Sequence, residues 1–256
     1  MTRFNSRVIV TGRAPLGESD CRVDFLSPLR GRLSAVAKGG LRSARRFMGG
    51  FEPPQIMEAG FMTTGTADRI LIEHAGIIEP FPALRSGPLR LGRASVILET
   101  ALLTVPMYQY SPGPYRLVET GLSLLEKDPD SDRWPLLYSF RLLSLAGQAP
   151  ELKRCVGCGR EAGKRAASFC PAEGGLVCRG CRRKGVSEQD IMTVSVDTRH
   201  TINTVLEARE DRLPRFDFTR RSRVQAEQLL FVFAAHQLGS PLRSLEFMRN
   251  LKAGVA

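Results

Sequence analysis

Over roughly the first 80 residues, apolar and polar positions alternate with period two, and glycines and prolines interrupt the alternation. Residues 7–11, 21–26, 31–38, 56–63 and 69–77 follow that pattern and are predicted strands. Turns are expected at Gly12, at Pro15-Leu16-Gly17, at Pro28 and at Gly65. Five short strands, with no intervening helix longer than two turns, predict a small β-barrel. On the third strand Leu33, Ala35 and Ala37 take one face, and Arg32, Ser34, Val36 and Lys38 take the other, which is therefore basic.

Past Pro88 the period changes from two to 3.6. Ala94, Ile97, Leu98, Ala101, Leu102 and Val105 fall on one helical face, and Pro106 closes the segment. A second helix is predicted from Pro114 to about Lys127, ahead of the polar Asp128-Pro129-Asp130-Ser131-Asp132 loop. A third, over 134–146, is apolar on nearly all sides and is expected at the centre of its module, with Gly147 and Pro150 ending it. After a cysteine-rich stretch the helical pattern returns at 198–207, 221–238 and 242–251, with Gly239 and Pro241 between the last two. The expected architecture is α+β. An amino-terminal β-barrel module covers residues 1–82, and a helical module covers 83–256 with a metal knuckle inserted at 153–185.

The insert carries the strongest chemical signal. Cys155-Val156-Gly157-Cys158 and Cys178-Arg179-Gly180-Cys181 are two C-x2-C knuckles separated by 19 residues, a spacing that lets four thiolates converge on one Zn²⁺. Gly157, Gly159 and Gly180 free backbone N–H groups to turn toward the sulfurs. One structural zinc ion is expected; an iron–sulfur cluster or a redox dithiol pair are the other chemistries open to four cysteines. Four protein ligands close the coordination sphere, so such a zinc would not activate water. Cys170 and Cys21 read as small buried residues.

Charge adds a partner class. The 256 residues hold 37 Lys+Arg against 26 Asp+Glu, a formal net charge of +11, which points to a polyanion. Between Leu26 and Phe51 lie Arg30, Arg32, Lys38, Arg42, Arg45 and Arg46, with no acidic residue and with Gly31, Gly39, Gly40, Gly49 and Gly50 among them. Such a run can track a phosphate backbone, because each cation that neutralises a phosphate releases a counterion; the plainer alternative is a solvated loop. Two weaker patches are Lys164, Arg165, Arg179, Arg182, Arg183 and Lys184 on the knuckle, and Arg212, Arg215, Arg220, Arg221 and Arg223 before the penultimate helix. Phe47 and Phe51 flank the basic loop as core residues or as base-stacking partners.

Several classes are excluded. With 43% hydrophobic residues the chain is not a disordered tail. The longest uncharged stretches, 100–115 and 229–242, fall short of the roughly 20 apolar residues of a membrane helix. Arg3, Arg7 and Arg13 interrupt any signal-peptide core, so a cytoplasmic protein is expected. No Walker-type loop, His-Glu-x-x-His or Gly-x-Ser-x-Gly is present. His74, His200 and His236 each read as structural, and the expectation is a binding protein without catalysis. The competing readings are a zinc-stabilised protein-interaction adaptor and a nucleic-acid-processing enzyme.

Five segments carry a resemblance. Gly17-Glu18-Ser19-Asp20, then Gly31-Arg32-Leu33-Ser34-Ala35-Val36-Ala37-Lys38-Gly39, then residues 142–152 leading into Cys155-x2-Cys158-Gly159, then Gly174-Gly175-Leu176-Val177-Cys178-x2-Cys181, and last His236-Gln237-Leu238-Gly239-Ser240-Pro241-Leu242-Arg243-Ser244-Leu245 resemble, in order and across the whole chain, the RecO family of bacterial recombination mediators. That resemblance implies an amino-terminal OB-fold, a helical bundle and a zinc knuckle. It further implies a non-enzymatic, nucleoid-associated activity: binding single- and double-stranded DNA, annealing complementary strands, engaging the C-terminal tail of single-strand binding protein, and acting with RecR and RecF to load RecA at gaps. After Lys38-Gly39 the basic run Gly40-Leu41-Arg42-Ser43-Ala44-Arg45-Arg46 is looser than the family's usual one.

Overall fold

The first strand serves two neighbours. In the computed structural model, which describes residues 1–42, 46–47, 50–64, 69–182 and 190–254, β1 (Thr2–Leu16) pairs antiparallel with β4 (Gln55–Thr64) through Thr2 to Val10, and with β2 (Asp20–Ser27) through Ile9 to Leu16. The register shifts between Val10 and Gly12, where the strand passes from one partner to the other. Val8, Ile9 and Val10 are all fully buried there, because a strand changing sheets is covered on both faces, and the alternation of period two lapses. β2 pairs with β3 (Gly31–Ala37), β4 with β5 (Arg69–Glu79), and β3 meets β5 in parallel at Val36 and Leu71. The order β1-β2-β3-β5-β4 thus closes on itself as a barrel.

Two details differ from the sequence expectation. Gly12 is not a turn but sits inside β1 beside the irregularity, and the chain reverses at Gly17, within the other expected turn, where φ is +71°. Pro15 is still paired with Cys21. The predicted strand over 7–11 covers only the middle of β1, since polar residues predominate before it and Gly12 and Pro15 break the alternation after it. The expected turn at Gly65 lies outside the described residues.

Alternation decides the barrel interior. Leu33, Ala35 and Ala37 of β3 point inward with Val8, Val10, Val23, Phe25, Met57, Ala59, Phe61, Ile70 and Ile72. Phe61 stacks on Phe4 at 5.0 Å and meets Phe25 edge-on at 5.6 Å; Phe51 lies 5.3 Å from Phe47 and 6.3 Å from Phe25. Phe47 and Phe51 are therefore core residues rather than stacking partners for bases, each adding about 1.5–3 kcal/mol by burial. Phe47 also bridges to Ala75 of β5, whose N–H donates to the Arg46 carbonyl at 3.0 Å.

The helices are α1 (Pro88–Thr104), α2 (Pro112–Lys127), α3 (Arg133–Leu145), α4 (Val196–Glu207), α5 (Arg220–Gln237) and α6 (Arg243–Gly254). α2 begins two residues before the expected Pro114, with Pro112 in its first turn. α3 buries residues on nearly every side, from Trp134 to Leu143, although Leu145 at its end is exposed. Ser195 and Thr219 cap α4 and α5 by accepting from the N–H groups three residues on, each at 3.2 Å. α6 is capped from far along the chain. The Glu99 carboxylate accepts from Arg243 N and Ser244 N at 2.9 Å and from Ser244 Oγ at 2.5 Å, placing a negative charge at the positive end of the helix.

Between α3 and α4 lies a small sheet of order β6-β8-β7-β9, formed by β6 (Glu151–Cys155), β7 (Ala167–Cys170), β8 (Gly175–Leu176) and β9 (Met192–Val194). Its strands of two to five residues are too short for a periodic signal. The chain divides into two compact units, Met1–Leu98 with Val105–Pro129, and Glu99–Thr104 with Asp130–Ala256.

Two substitutions test these supports. Gly31 has φ +57°, and a Cβ there would meet the Pro106 carbonyl oxygen. Gly31→Ala is expected to lose at least about 1–2 kcal/mol by denaturant unfolding. Glu99→Ala is expected to cost roughly 1–3 kcal/mol and to speed amide exchange in the first turn of α6, because three donors lose their acceptor.

Candidate metal centre and nucleic-acid interface

The end of β6 and the residues after β8 bring the two knuckles together. Cys155 pairs with Leu176 across the parallel β6–β8 contact, and Val156 N donates to Leu176 O at 2.8 Å. Cys178, two residues past Leu176, then lies beside Cys155, and its N–H points at the Cys155 sulfur at 3.3 Å. The Cys178 carbonyl accepts from Cys181 N at 3.0 Å and Arg182 N at 3.1 Å, winding a tight 3-10 turn that returns the fourth thiol. The four Sγ atoms of Cys155, Cys158, Cys178 and Cys181 all lie within 4.8 Å of one another.

That cluster fits a tetrahedral ion. Four sulfurs about 2.3 Å from a central zinc would stand about 3.8 Å apart, and the Cys158 and Cys178 sulfurs are separated by 3.8 Å. Gly157 leaves the needed space, since a Cβ there would come within 2.9 Å of the Cys181 Cβ and 3.2 Å of its sulfur. Electrostatics agree with the geometry. The Cys155 thiol is brought down to about 6, first by the Cys178 N–H and then by the N–H groups of Cys158 and Gly157, against the opposing effect of burial. Cys178 is also lowered, chiefly because the Cys181 thiol donates to it. Cys181 is pushed up to about 12 for the same reason, as it gives its proton to Cys158 and Cys178. Metal binding would displace whatever protons these thiols carry. Cys170, buried in β7, and Cys21, buried in the barrel, stand outside the cluster.

The six cations expected at the barrel do not form one patch. Lys38, Arg42 and Arg46 gather at the far end of β3, all exposed. Gly39 N donates to Asp20 Oδ1 at 2.8 Å, Leu41 N to Ser19 O at 2.9 Å, and Arg42 N to Gly39 O at 3.1 Å. The segment is thus fastened to the β1–β2 turn, and Arg46 closes it by donating to the Lys38 carbonyl at 2.5 Å while lying 5.2 Å over the Phe47 ring. Arg30 and Arg32 lie at the other end of the strand, about 20 Å away at roughly 3.3 Å per residue. Arg30 rests 4.9 Å over Phe4. Arg45 lies outside the described residues.

Of the weaker patches, Lys164, Arg165, Arg179, Arg212, Arg215, Arg220 and Arg221 are exposed, and Arg182 is half-buried. Arg183 and Lys184 lie outside the described residues. Arg223 is committed within the fold, pairing with Asp217 at 3.2 Å and donating to the Phe218 carbonyl. His74, His200 and His236 are exposed, and no hydrogen bond to their rings occurs among the described residues. His74 lies against Gly60, where a Cβ would meet the imidazole.

Arg199 carried no sequence signal, because it is one arginine in an ordinary helical pattern. It is buried, its guanidinium donates to the Gly163 and Arg165 carbonyls at 2.8 Å, and burial lowers its pKa. It lines a cavity of about 820 Å³ together with Lys153, Lys164 and His200. No described helix is long and apolar enough to cross a membrane.

Comparison with known proteins now decides the family. The family model described as "Recombination protein O N terminal" matches residues 1–71, and the one described as "Recombination protein O C terminal" matches residues 85–246. The chain belongs to the RecO family. It is 29% identical over 251 residues to the DNA repair protein RecO of Myxococcus xanthus, covering 98% of this chain and 99% of that protein. It is 29% identical to the protein of the same description from Syntrophobacter fumaroxidans, over 98% of each. Over 181 residues, 71% of each chain, it is 30% identical to that of Anaeromyxobacter sp. strain K.

For this RecO-family chain, protein purified without chelator is expected to hold one zinc per chain by elemental analysis, and Cys158→Ser and Cys181→Ser to lose it. Gly157→Ala is expected to weaken zinc retention in a chelator competition, since its methyl group enters the sulfur cluster. Purified protein free of metal would overturn the assignment.

Proposed function

We propose that the chain is a DNA-binding recombination mediator in DNA repair, which binds single- and double-stranded DNA, anneals complementary strands on DNA coated with single-strand binding protein, and acts with RecR and RecF to promote RecA loading at gaps. The observation that carries this reading is the gathering of Lys38, Arg42 and Arg46 at one end of a closed five-stranded barrel in a RecO-family chain. In this reading residues 1–82 are an OB-fold DNA-binding module, and residues 83–256 are a helical module carrying the knuckle at 153–185.

The chemistry needs no reacting group. Two strands repel through their phosphates, and cations that neutralise phosphates while displacing counterions lower that repulsion and raise the local concentration of the second strand. Lys38, Arg42 and Arg46 act as point contacts on a backbone segment pinned by Asp20 and Ser19. Arg30 and Arg32 would meet the strand further along, and Arg45 belongs to the same basic run. The exposed Lys164, Arg165 and Arg179 near the knuckle, and Arg220 and Arg221 at the start of α5, are further candidate contacts, with Arg182, Arg183 and Arg223 belonging to the same two runs of sequence. Zinc bound by Cys155, Cys158, Cys178 and Cys181 would be structural: it holds the ends of β6 and β8 together, and ligation of this kind supplies on the order of 10–16 kcal/mol to a small module.

The test is a salt titration of single-strand affinity. Arg42→Ala with Arg46→Ala is expected to flatten the slope of log affinity against log salt by about 1.4, or 0.7 per lost phosphate contact, and to slow annealing of strands coated with single-strand binding protein. An unchanged slope would remove the loop from the interface, and turnover of labelled DNA in Mg²⁺ would favour an enzyme instead.

A further inference from the structure

The barrel unit also displays an aromatic loop that neither the metal centre nor the basic loop uses. Residues 106–110 are all exposed, with Tyr110 at 73% and Tyr108 at 47%. Two tyrosines left in water forfeit the burial that usually keeps such rings covered. The loop is nonetheless tightly held. Arg32 N donates to Pro106 O at 3.0 Å, Tyr108 N to Arg32 O at 3.1 Å, and Ser111 N to Pro28 O at 3.0 Å. Gly31, at φ +57°, permits this approach to the Pro106 and Gln109 carbonyls. Tyr108 itself has φ +56°, a left-handed conformation that a bulky residue rarely adopts and that persists only where the surroundings impose it.

The fold therefore strains a tyrosine to keep two rings outward, and the segment to which the loop is bonded is cationic. Residues 27–32 carry exposed Leu29 and half-buried Arg30 and Arg32, and neither that segment nor residues 105–111 contains an acidic side chain. Exposed aromatic rings on a loop bonded to an arginine-bearing segment, with no acidic residue in either, suit a polyanion whose units have exposed π-faces. Such a ligand is a single strand of nucleic acid, because in a duplex each base is already covered by its neighbours. We propose that Tyr108 and Tyr110, with Arg30 on the adjoining turn, form a base-stacking platform for single-stranded nucleic acid. This rests on the DNA-binding reading and adds what that reading lacks, a group that engages bases rather than phosphates. β3 then runs from an aromatic end to the cationic end at Lys38, Arg42 and Arg46.

Fluorescence anisotropy with three probes of equal length tests it: an intact single strand, a strand of abasic sites with the same phosphates, and a duplex. The wild-type chain is expected to bind the intact strand at least about tenfold more tightly than the abasic one. Tyr108→Ala with Tyr110→Ala is expected to lose roughly ten- to a hundredfold for the intact strand and to leave the other two affinities unchanged, while Tyr108→Phe with Tyr110→Phe keeps wild-type binding. Equal wild-type affinity for intact and abasic strands would overturn the platform without recourse to any variant. So would an alanine pair that binds the intact strand normally, which would leave the loop to a protein partner. A wild-type chain with no single-strand affinity would overturn the DNA-binding reading as well, whereas the other two outcomes would leave that reading standing.

Discussion

Closure of the five-stranded barrel depends on one strand pairing on both sides. β1 gives its first half to β4 and its second half to β2, and the shift between Val10 and Gly12 is where it turns from one to the other. Closing the sheet joins its two outer strands, β3 and β5, at Val36 and Leu71, and the five strands enclose a core of phenylalanines and aliphatic residues. With that core fixed, the ends of β3 are fixed too. One end receives the loop carrying Lys38 and Arg42, and the other receives the backbone of residues 106–111.

The second unit meets a different constraint. Strands of two to five residues cannot hold a sheet by themselves, and the β6–β8 pair is joined at only two registered positions. Four sulfurs within 4.8 Å of one another lie beside that short ladder, placed to bind a metal ion. N–H groups lower the pKa of Cys155, while hydrogen bonds to Cys158 and Cys178 raise that of Cys181. The same glycine that turns the first knuckle also keeps a methyl group out of the space between the sulfurs.

The net charge of +11 resolves into separate places with different surroundings. Arg223 answers Asp217 within its own unit, and Arg199 is buried against carbonyls, so neither belongs to an open surface. Lys38, Arg42 and Arg46 remain exposed on a backbone tied down by Ser19 and Asp20. A cation held this way gives up less freedom on meeting a phosphate than one on a slack loop.

Much of the architecture was legible along the chain. Alternation at Leu33, Ala35 and Ala37 marks the barrel interior, the 3.6-residue recurrence from Ala94 to Val105 marks α1, and two C-x2-C pairs mark the sulfur cluster, because each reports a local geometry of fixed period. Other features carried no such signal. The turn expected at Gly12 became the irregularity of β1, since the strand changes there from β4, which lies far along the sequence, to β2. Phe47 and Phe51 went to the core, which depends on where the barrel closes. β6 to β9 were too short to show a period. The cap of α6 by Glu99, the division of the basic run between the two ends of β3, and the exposure of Tyr108 and Tyr110 arise between residues distant in sequence. The sequence by itself determined which residues alternate, which recur on a helical face and which can ligate a metal. Only the tertiary structure decided which of the cations and aromatic rings stay in water, because burial depends on what the rest of the chain brings alongside.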